Sequence, residues 1–176
     1  MIRAKDAINQ ELIDMLREIG GRSKPLLVAI DPKPSRKLEI GGLGLLTPNR
    51  SEALELSGIK GIQANDEFPL EDVCHIINEK YHPKYLVVTL GADGMAVCEN
   101  GEMVKHLPTE AREVFDVSGA GDTVICVLTA ALAAGASLVE AASLANVAAG
   151  CVVAHMGTSP INRAELIGRL QTETVY

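Results

Sequence analysis

The spacing of apolar positions changes along the chain, and each spacing predicts a different element. Apolar residues recur at helical intervals from residue 8 to residue 19, and Gly20-Gly21 ends the helix that they predict. Continuous apolar runs follow at residues 25–30, 44–47 and 85–90. Such unbroken runs are typical of strands that are buried on both faces.

Helix and turn signals separate these strands. Asn100-Gly101 predicts a hairpin between strands at residues 95–98 and 103–107. Helices are predicted from about Ser51 to Ser57, from an Asp66 cap to about Lys80, from about Gly121, from about Leu138, and after an Asn162 cap. Strands that alternate with helices predict an α/β fold: residues 1–176 form one domain, with a mainly parallel sheet covered on both faces.

Composition narrows the classes of partner. Hydrophobic residues make up 47% of the chain, enough for a packed core, but aromatic residues make up only 3%. The chain therefore offers no row of rings on which nucleobases could stack. Its net charge of −7 repels phosphate backbones and anionic lipid surfaces, so nucleic acids and membranes are not expected as partners.

The cysteines and one uncharged stretch bear on the compartment. None of the four cysteines has CxxC spacing, and each lies in an apolar run, as buried reduced thiols do. The stretch from Thr123 to Val139 carries no charge, but it is broken by Gly135 and predicts a buried helix followed by a turn. No signal peptide is recognised at the start, so we expect a cytoplasmic protein.

The segment from Asp116 to Thr123 differs from an ordinary helix start. Small residues at 118–121 allow a sharp turn whose N–H groups converge on one hollow at a helix N-terminus, which suits an anion. A carboxylate there is repulsive unless it accepts a proton or holds a metal, so Asp122 is a candidate catalytic residue. A plain helix cap would explain neither the glycines nor Asp116. A dinucleotide-binding fingerprint fails at Val124 and no Walker A loop occurs, which favours a phosphoryl-transfer site of another architecture.

This segment resembles the second signature of the PfkB (ribokinase-like) carbohydrate kinases. The resemblance implies a ribokinase-like three-layer α/β/α sandwich and the use of ATP and Mg²⁺. It makes Asp122 the base that takes the proton of the sugar hydroxyl. The N–H groups of Gly119, Ala120 and Gly121 become donors to the transferred phosphoryl group, and Asp116 belongs to the nucleotide-binding residues.

Two further segments resemble motifs of that family. Asn49 and Glu52 match an Asn-x-x-Glu motif that organises magnesium, and their spacing places an amide and a carboxylate on one helical turn. Without the family, Asn49 is a helix N-cap and Glu52 its capping-box partner. Thr89, Gly91 and Gly94 match a turn that lies under the nucleotide phosphates, although a plain glycine turn has the same sequence.

The resemblance also assigns candidate ligand contacts to two single residues. Asn146 matches an asparagine that contacts the nucleotide near the base, whereas an asparagine among alanines is otherwise a hydrogen-bonded packing residue. Lys33 is a candidate contact to phosphate, or else a solvated lysine after a strand. Asp31-Pro32-Lys33 and Gly157-Thr158-Ser159 are most similar to the kinase domain of bifunctional ADP-heptose synthases. That similarity implies phosphorylation of a heptose 7-phosphate at O1, for the lipopolysaccharide core.

The resemblance covers only the second part of such a kinase. Nothing in the chain matches the opening strands, the lid or the first glycine-rich signature, so we expect the fold to be truncated at its N-terminal side. Two hypotheses remain: a kinase that is completed by self-association or by an N-terminal half on another chain, and a nucleotide-binding module without turnover. Its expected ligands are a nucleotide and a sugar phosphate.

Overall fold

The computed structural model describes residues 8–20, 26–62, 66–111 and 114–173. Five strands lie within these residues: β1 Ala29–Ile30, β2 Leu45–Leu46, β3 Tyr85–Thr89, β4 Met95–Glu99 and β5 Glu102–Leu107. They form one sheet in the order β1-β2-β3-β4-β5. Strands β1, β2 and β3 are parallel, and the β3–β4 and β4–β5 pairs are antiparallel.

The antiparallel part of the sheet follows from short connections. The turn from Leu90 to Gly94 joins β3 to β4, and Asn100-Gly101 joins β4 to β5, whereas a parallel pairing needs a long crossover. Asn100 and Gly101 have φ values of 50° and 90°, as both positions of a tight hairpin turn require. The hairpin prediction is confirmed, and the sheet is mixed, with its parallel part confined to β1–β3.

In the part of the chain that the structure describes, six α-helices accompany the sheet: α1 Gln10–Gly20, α2 Arg50–Ser57, α3 Leu70–Tyr81, α4 Ala120–Ala133, α5 Leu138–Val153 and α6 Arg163–Glu173. Asn162 begins α6 as predicted, because its Oδ1 accepts the N–H of Glu165 at 2.9 Å. The prediction of an Asp66 cap is wrong. Helix α3 starts at Leu70, and the residue before it is Pro69, whose ring fixes its own φ and which makes no side-chain cap hydrogen bond.

The sheet separates two apolar cores. Along β3 and β4, Leu86, Val88, Ala96 and Cys98 face a core formed with α1, α2 and α3, and the alternate residues face α4 and α5. This alternation is the period of two that strands impose on their side chains. Helices therefore cover both faces, and the three-layer α/β/α arrangement is confirmed.

The uncharged stretch from Thr123 to Val139 lies in two helices of the second core. Helix α4 ends at Ala133, Gly135 adopts φ 94°, and α5 begins after Ser137, whose side chain accepts the N–H of Glu140. The predicted helix and turn are therefore confirmed. Across the described ranges, no helix is long and apolar enough to cross a membrane.

The turn between β3 and β4 provides a stability test. Gly94 and Gly91 both have positive φ, but a Cβ on Gly94 would lie 1.9 Å from the Leu107 carbonyl oxygen, whereas one on Gly91 would meet nothing within 4 Å. We expect Gly94→Ala to lower the free energy of unfolding in urea by about 3 kcal/mol or more, and Gly91→Ala by about 1–2 kcal/mol. Equal losses would show that the close approach to β5 contributes nothing.

Candidate functional site

The carboxyl ends of β1, β2 and β3 meet at one edge of the sheet. The Thr47 N–H donates to the Ile30 carbonyl at 3.1 Å, and the Thr89 N–H donates to the Pro48 carbonyl at 3.0 Å. The segments that follow the three strands therefore leave the sheet side by side. Such an edge is where open α/β sheets bind ligands.

A cluster of charges lies at this edge. The Lys33 Nζ lies 2.9 Å from Asp31 Oδ2 and 2.6 Å from Glu52 Oε1. Burial raises the pKa of Asp31, the Lys33 ammonium opposes that rise, and the negative charges of Glu52 and Asp122 add to it. Asp122 is therefore near enough to act on Asp31, and the structure brings the predicted residues Lys33, Glu52 and Asp122 together. Asp31 was missed as a site residue; its position directly after an apolar strand was the available signal.

Asn49 and Glu52 form the capping box that their sequence also allowed. Asn49 Oδ1 accepts the Glu52 N–H at 3.0 Å, and Glu52 Oε2 accepts the Asn49 N–H at 2.9 Å. The two bonds fix the Glu52 carboxylate, so its other oxygen, Oε1, is held toward Lys33. A metal-binding role of Asn49 and Glu52 stays a prediction.

The turn after β3 lies at the same edge, because Asn49 bridges to Thr89. Gly91 is exposed and Gly94 is buried against β5. Asp93, between them, forms an ion pair with Arg50, whose guanidinium also stacks 4.8 Å from the Phe68 ring centroid. The backbone of Gly91 is therefore open at this edge, whereas the Asp93 carboxylate is paired with Arg50.

Asp116 organises the loop before α4. Its Oδ1 accepts the Ser118 N–H at 2.8 Å and its Oδ2 accepts the Gly157 N–H at 3.2 Å, so that it ties the loop to the segment after α5. Hydrogen bonds from the Ser118 hydroxyl, then from its N–H, and from Gly157 hold the pKa of Asp116 below its usual value. Gly119 turns the chain with φ 83° and approaches Thr158, whose methyl would lie 3.1 Å from a Cβ.

The N-terminus of α4 presents free donors beside a carboxylate. Ala120 donates its N–H to Val117 at 3.2 Å, and Thr123 donates to Gly119 at 2.9 Å. Within the described ranges, the N–H groups of Gly121 and Asp122 have no acceptor, and the exposed Asp122 carboxylate has no hydrogen bond or ion pair. A helix N-terminus of this kind attracts anions.

Asn146 lies inside the fold. It is buried in the middle of α5, and its Nδ2 donates to the Pro108 carbonyl at 2.6 Å. One turn further, a Cβ on Gly150 would lie 3.0 Å from the Glu110 backbone. The hydrogen bond and the close approach both fix the segment after β5 against α5, which matches the packing interpretation of Asn146. Contact of Asn146 with a nucleotide stays a prediction.

The side chains at the edge suit a metal that keeps bound water. No group of three or more His, Cys, Asp or Glu side chains in the described part of the chain is arranged to hold a metal. Mg²⁺ commonly binds through one or two carboxylates and retains several waters. Asp31 and Glu52 provide two carboxylates, and the Lys33 ammonium between them shows that a cation fits there.

The lowered pKa of Asp116 predicts how the loop responds to acid. A carboxylate with a folded-state pKa below the usual 3.8 stabilises the fold above that pH, and this contribution is lost as the pH falls through the folded-state pKa. We expect Asp116→Asn to lower the melting temperature at about pH 6, and to flatten its decline between about pH 6 and pH 3. Glu55→Gln, at an exposed position of α2, is the control and should keep the wild-type slope. An unchanged slope in Asp116→Asn would contradict the assignment.

Comparison with known proteins identifies the family. The sequence pattern of the family described as "pfkB family carbohydrate kinase" matches residues 4–164 of this chain. The chain is 40% identical over 171 residues to a bifunctional protein HldE from Desulfatibacillum aliphaticivorans, and the match covers 97% of this chain and 34% of that protein. The chain thus spans about a third of the length of this curated relative.

Solved structures are similar over about half of their length. The ribokinase from Thermotoga maritima matches with a TM-score of 0.75 and 27% identity, over 90% of this chain and 53% of that one. A ribokinase from Arabidopsis thaliana, complexed with ribose and ATP, matches with a TM-score of 0.63 and 25% identity, over 84% and 46%. The charged edge and the glycine loop described above lie within the family match, and the chain belongs to the pfkB family of carbohydrate kinases.

Proposed function

We propose that the chain provides the nucleotide-binding and catalytic-base part of an ATP-dependent sugar kinase that phosphorylates a heptose 7-phosphate at O1. The observation that carries this proposal is the exposed Asp122 carboxylate, which lacks a partner within the described ranges and lies beside the free N–H groups of Gly121 and its own backbone. The heptose rests on the resemblance of Asp31-Pro32-Lys33 and Gly157-Thr158-Ser159 to ADP-heptose synthases. Residues 1–176 would correspond to the C-terminal part of the kinase domain.

The geometry at the N-terminus of α4 supports separate roles for the Asp122 carboxylate and for the backbone N–H groups. Asp122 would accept the proton of the attacking sugar hydroxyl as the oxygen bonds to phosphorus. The N–H groups of Gly119, Ala120 and Gly121 would donate to the oxygens of the transferred group, where negative charge is concentrated. In the structure the Ala120 N–H is engaged by Val117 at the long distance of 3.2 Å, so Gly121 is the more available donor.

Magnesium and ATP fit the charged edge. Glu52 and Asp31 would hold Mg²⁺, with Asn49 fixing the orientation of Glu52. When bound, the metal would neutralise charge on the phosphates of the nucleotide. The backbone of Thr89, Gly91 and Gly94 would lie under these phosphates.

Two residues would act on the nucleotide site through the backbone that they hold. Asp116 would shape the loop for the transferred phosphoryl group through Ser118 and Gly157. Asn146 would act near the base by holding Pro108 and the residues that follow it. Both roles are supported by the hydrogen bonds of these side chains to the backbone.

We place this reaction in a reducing compartment, the cytoplasm. Cys74 and Cys98 are free thiols that are buried in the core formed with α1, α2 and α3. Buried free thiols are typical of proteins in reducing surroundings.

The sugar is proposed to bind mainly to polypeptide beyond these 176 residues. The outer edge of β1 has no neighbouring strand in the described sheet, and Leu26 beside it is 57% exposed. An open edge and exposed apolar side chains are normally covered by a partner. We propose an N-terminal kinase half as the partner, with self-association of the chain through the same edge when that half is absent.

The catalytic assignment is tested by Asp122→Asn in the chain combined with the segment of a bifunctional HldE relative that supplies the rest of the kinase. We expect phosphoryl transfer to fall by about a hundred- to ten-thousand-fold, while Mg-ADP binding is retained because a negative charge beside the phosphates is removed. Asp72→Asn, in the exposed first turn of α3, is the matched control and should keep normal turnover. Near-normal turnover of Asp122→Asn would exclude Asp122 as the base. No turnover in the wild-type combination would favour a nucleotide-binding module.

The partner surface is tested by light scattering on a size-exclusion column. We expect the isolated chain to have twice its mass of 18.6 kDa, and Leu26→Lys to shift it toward the monomer because edge lysines oppose strand pairing. Ile62→Lys, at an exposed position after α2, should leave the dimer unchanged. A stable wild-type monomer would contradict self-association through this edge.

A further inference from the structure

We propose that the Lys33 ammonium and a divalent cation are alternative occupants of the gap between Asp31 and Glu52, and that the metal releases Lys33 to bind a phosphate oxygen. Lys33 would thereby couple metal binding to nucleotide binding. This inference rests on the proposed function for the identity of the phosphate, whereas the competition itself concerns only the three side chains.

The contacts of Lys33 are those that a metal would need. Its Nζ lies 2.6 Å from Glu52 Oε1 and 2.9 Å from Asp31 Oδ2. Mg²⁺ binds carboxylate oxygens at about 2.0–2.1 Å, so it would lie close to an ammonium that remained on the same oxygens. Two like charges in that gap repel each other, so metal entry requires the ammonium to leave.

The Glu52 carboxylate is held more firmly than Lys33. Glu52 is fixed by the capping box with Asn49, and its side chain is 12% exposed, whereas that of Asp31 is 27% exposed. The Lys33 side chain is 47% exposed and makes no hydrogen bond or ion pair with other described residues. The ammonium can therefore leave while Glu52 keeps the position that a metal needs.

The backbone at Lys33 restricts this movement to the side chain. Pro32 precedes Lys33 and is buried, and Pro34 follows it at the start of the 3₁₀ turn Pro34–Arg36. Proline fixes its own φ and restricts the residue before it. From a fixed Cα, four rotatable side-chain bonds let the ammonium move several ångströms toward the open side of the edge.

Charge explains why release of Lys33 would favour phosphate. The negative charges of Glu52 and Asp122 act on Asp31 at this edge, and Lys33 neutralises Asp31 and Glu52 by direct contact. Arg50, nearby on α2, is already engaged by Asp93 and Phe68. A divalent metal that replaces the ammonium neutralises the same carboxylates and frees one positive charge, so the edge repels an anion less and the Lys33 ammonium becomes available to it.

The competition is tested by titrating the 176-residue chain with Mn²⁺, which takes the same oxygen ligands and whose unbound form is counted by electron paramagnetic resonance. We expect Lys33→Met to bind Mn²⁺ tighter than wild type by on the order of tenfold, because two charge-assisted hydrogen bonds no longer compete. Lys33→Arg keeps the competing charge and should bind no tighter than wild type. Lys60→Met, at an exposed position that makes no ion pair within the described ranges, removes the same charge elsewhere and should leave the affinity unchanged.

The coupling is tested by measuring ADP affinity with and without Mn²⁺ in the same variants. Metal should strengthen ADP binding more in wild type and Lys60→Met than in Lys33→Met, because only a chain that keeps Lys33 can release its ammonium to the phosphate when the metal binds. Melting curves verify that each variant is folded. Unchanged or weaker Mn²⁺ binding in Lys33→Met would overturn the competition, and equal coupling in all variants would overturn the transfer of Lys33 to phosphate. Tighter Mn²⁺ binding together with an inactive complemented enzyme would leave the competition standing and contradict the proposed kinase function instead.

Discussion

The register of the three parallel strands fixes where the charged side chains meet. Ala29 pairs with Leu45, and Leu45 pairs with Tyr85, so that β1, β2 and β3 run side by side toward the same edge. Parallel strands direct all their carboxyl ends to one side, and the segments after them carry the side chains of the candidate site. The Thr47 N–H donates to Ile30 and the Thr89 N–H donates to Pro48, so the parallel hydrogen bonding continues past the end of β2, where the charges begin. A shift of β2 by one residue would exchange Leu45 and Leu46 between the two cores and displace α2 with its glutamate.

The residues with proposed functional roles also have structural roles in this part of the molecule. Asn49 and Glu52 form an ordinary capping box, and the same two hydrogen bonds orient the Glu52 carboxylate toward Lys33. Asp116 forms a local turn with Ser118 and also joins that turn to Gly157. The capping and packing roles of these residues are therefore compatible with the chemistry that we propose for them. A side chain that acts on phosphate must be held by something, and local backbone hydrogen bonds hold it at low entropic cost.

The fold was predicted best where local chemistry decides it. Asn100-Gly101 specified the hairpin, and Asn162 specified the start of α6, because each acts within a few residues. The prediction that Asp66 caps α3 is wrong because the helix begins after Pro69 instead. Residue preferences alone do not decide between these two possible starts. Asp31 was missed because its significance depends on Lys33 and Glu52, and only the parallel pairing of β1 with β2 brings the two segments together.

The surroundings of the α4 loop are suited to contact with the N-terminal partner that we propose. Asp122 is exposed, and the side chains of Phe115, Val117 and Met156, which flank Asp116 and Gly157, are exposed and apolar; Met156 is 88% exposed. A general base and a phosphoryl acceptor work best where water is excluded, since each interaction with the developing charge is stronger in a dry site. Apolar side chains around a site are suited to contact with a cover and poorly suited to solvent. The segment that is proposed to hold the sugar would therefore also exclude water from the loop around Asp122, whose carboxylate is exposed.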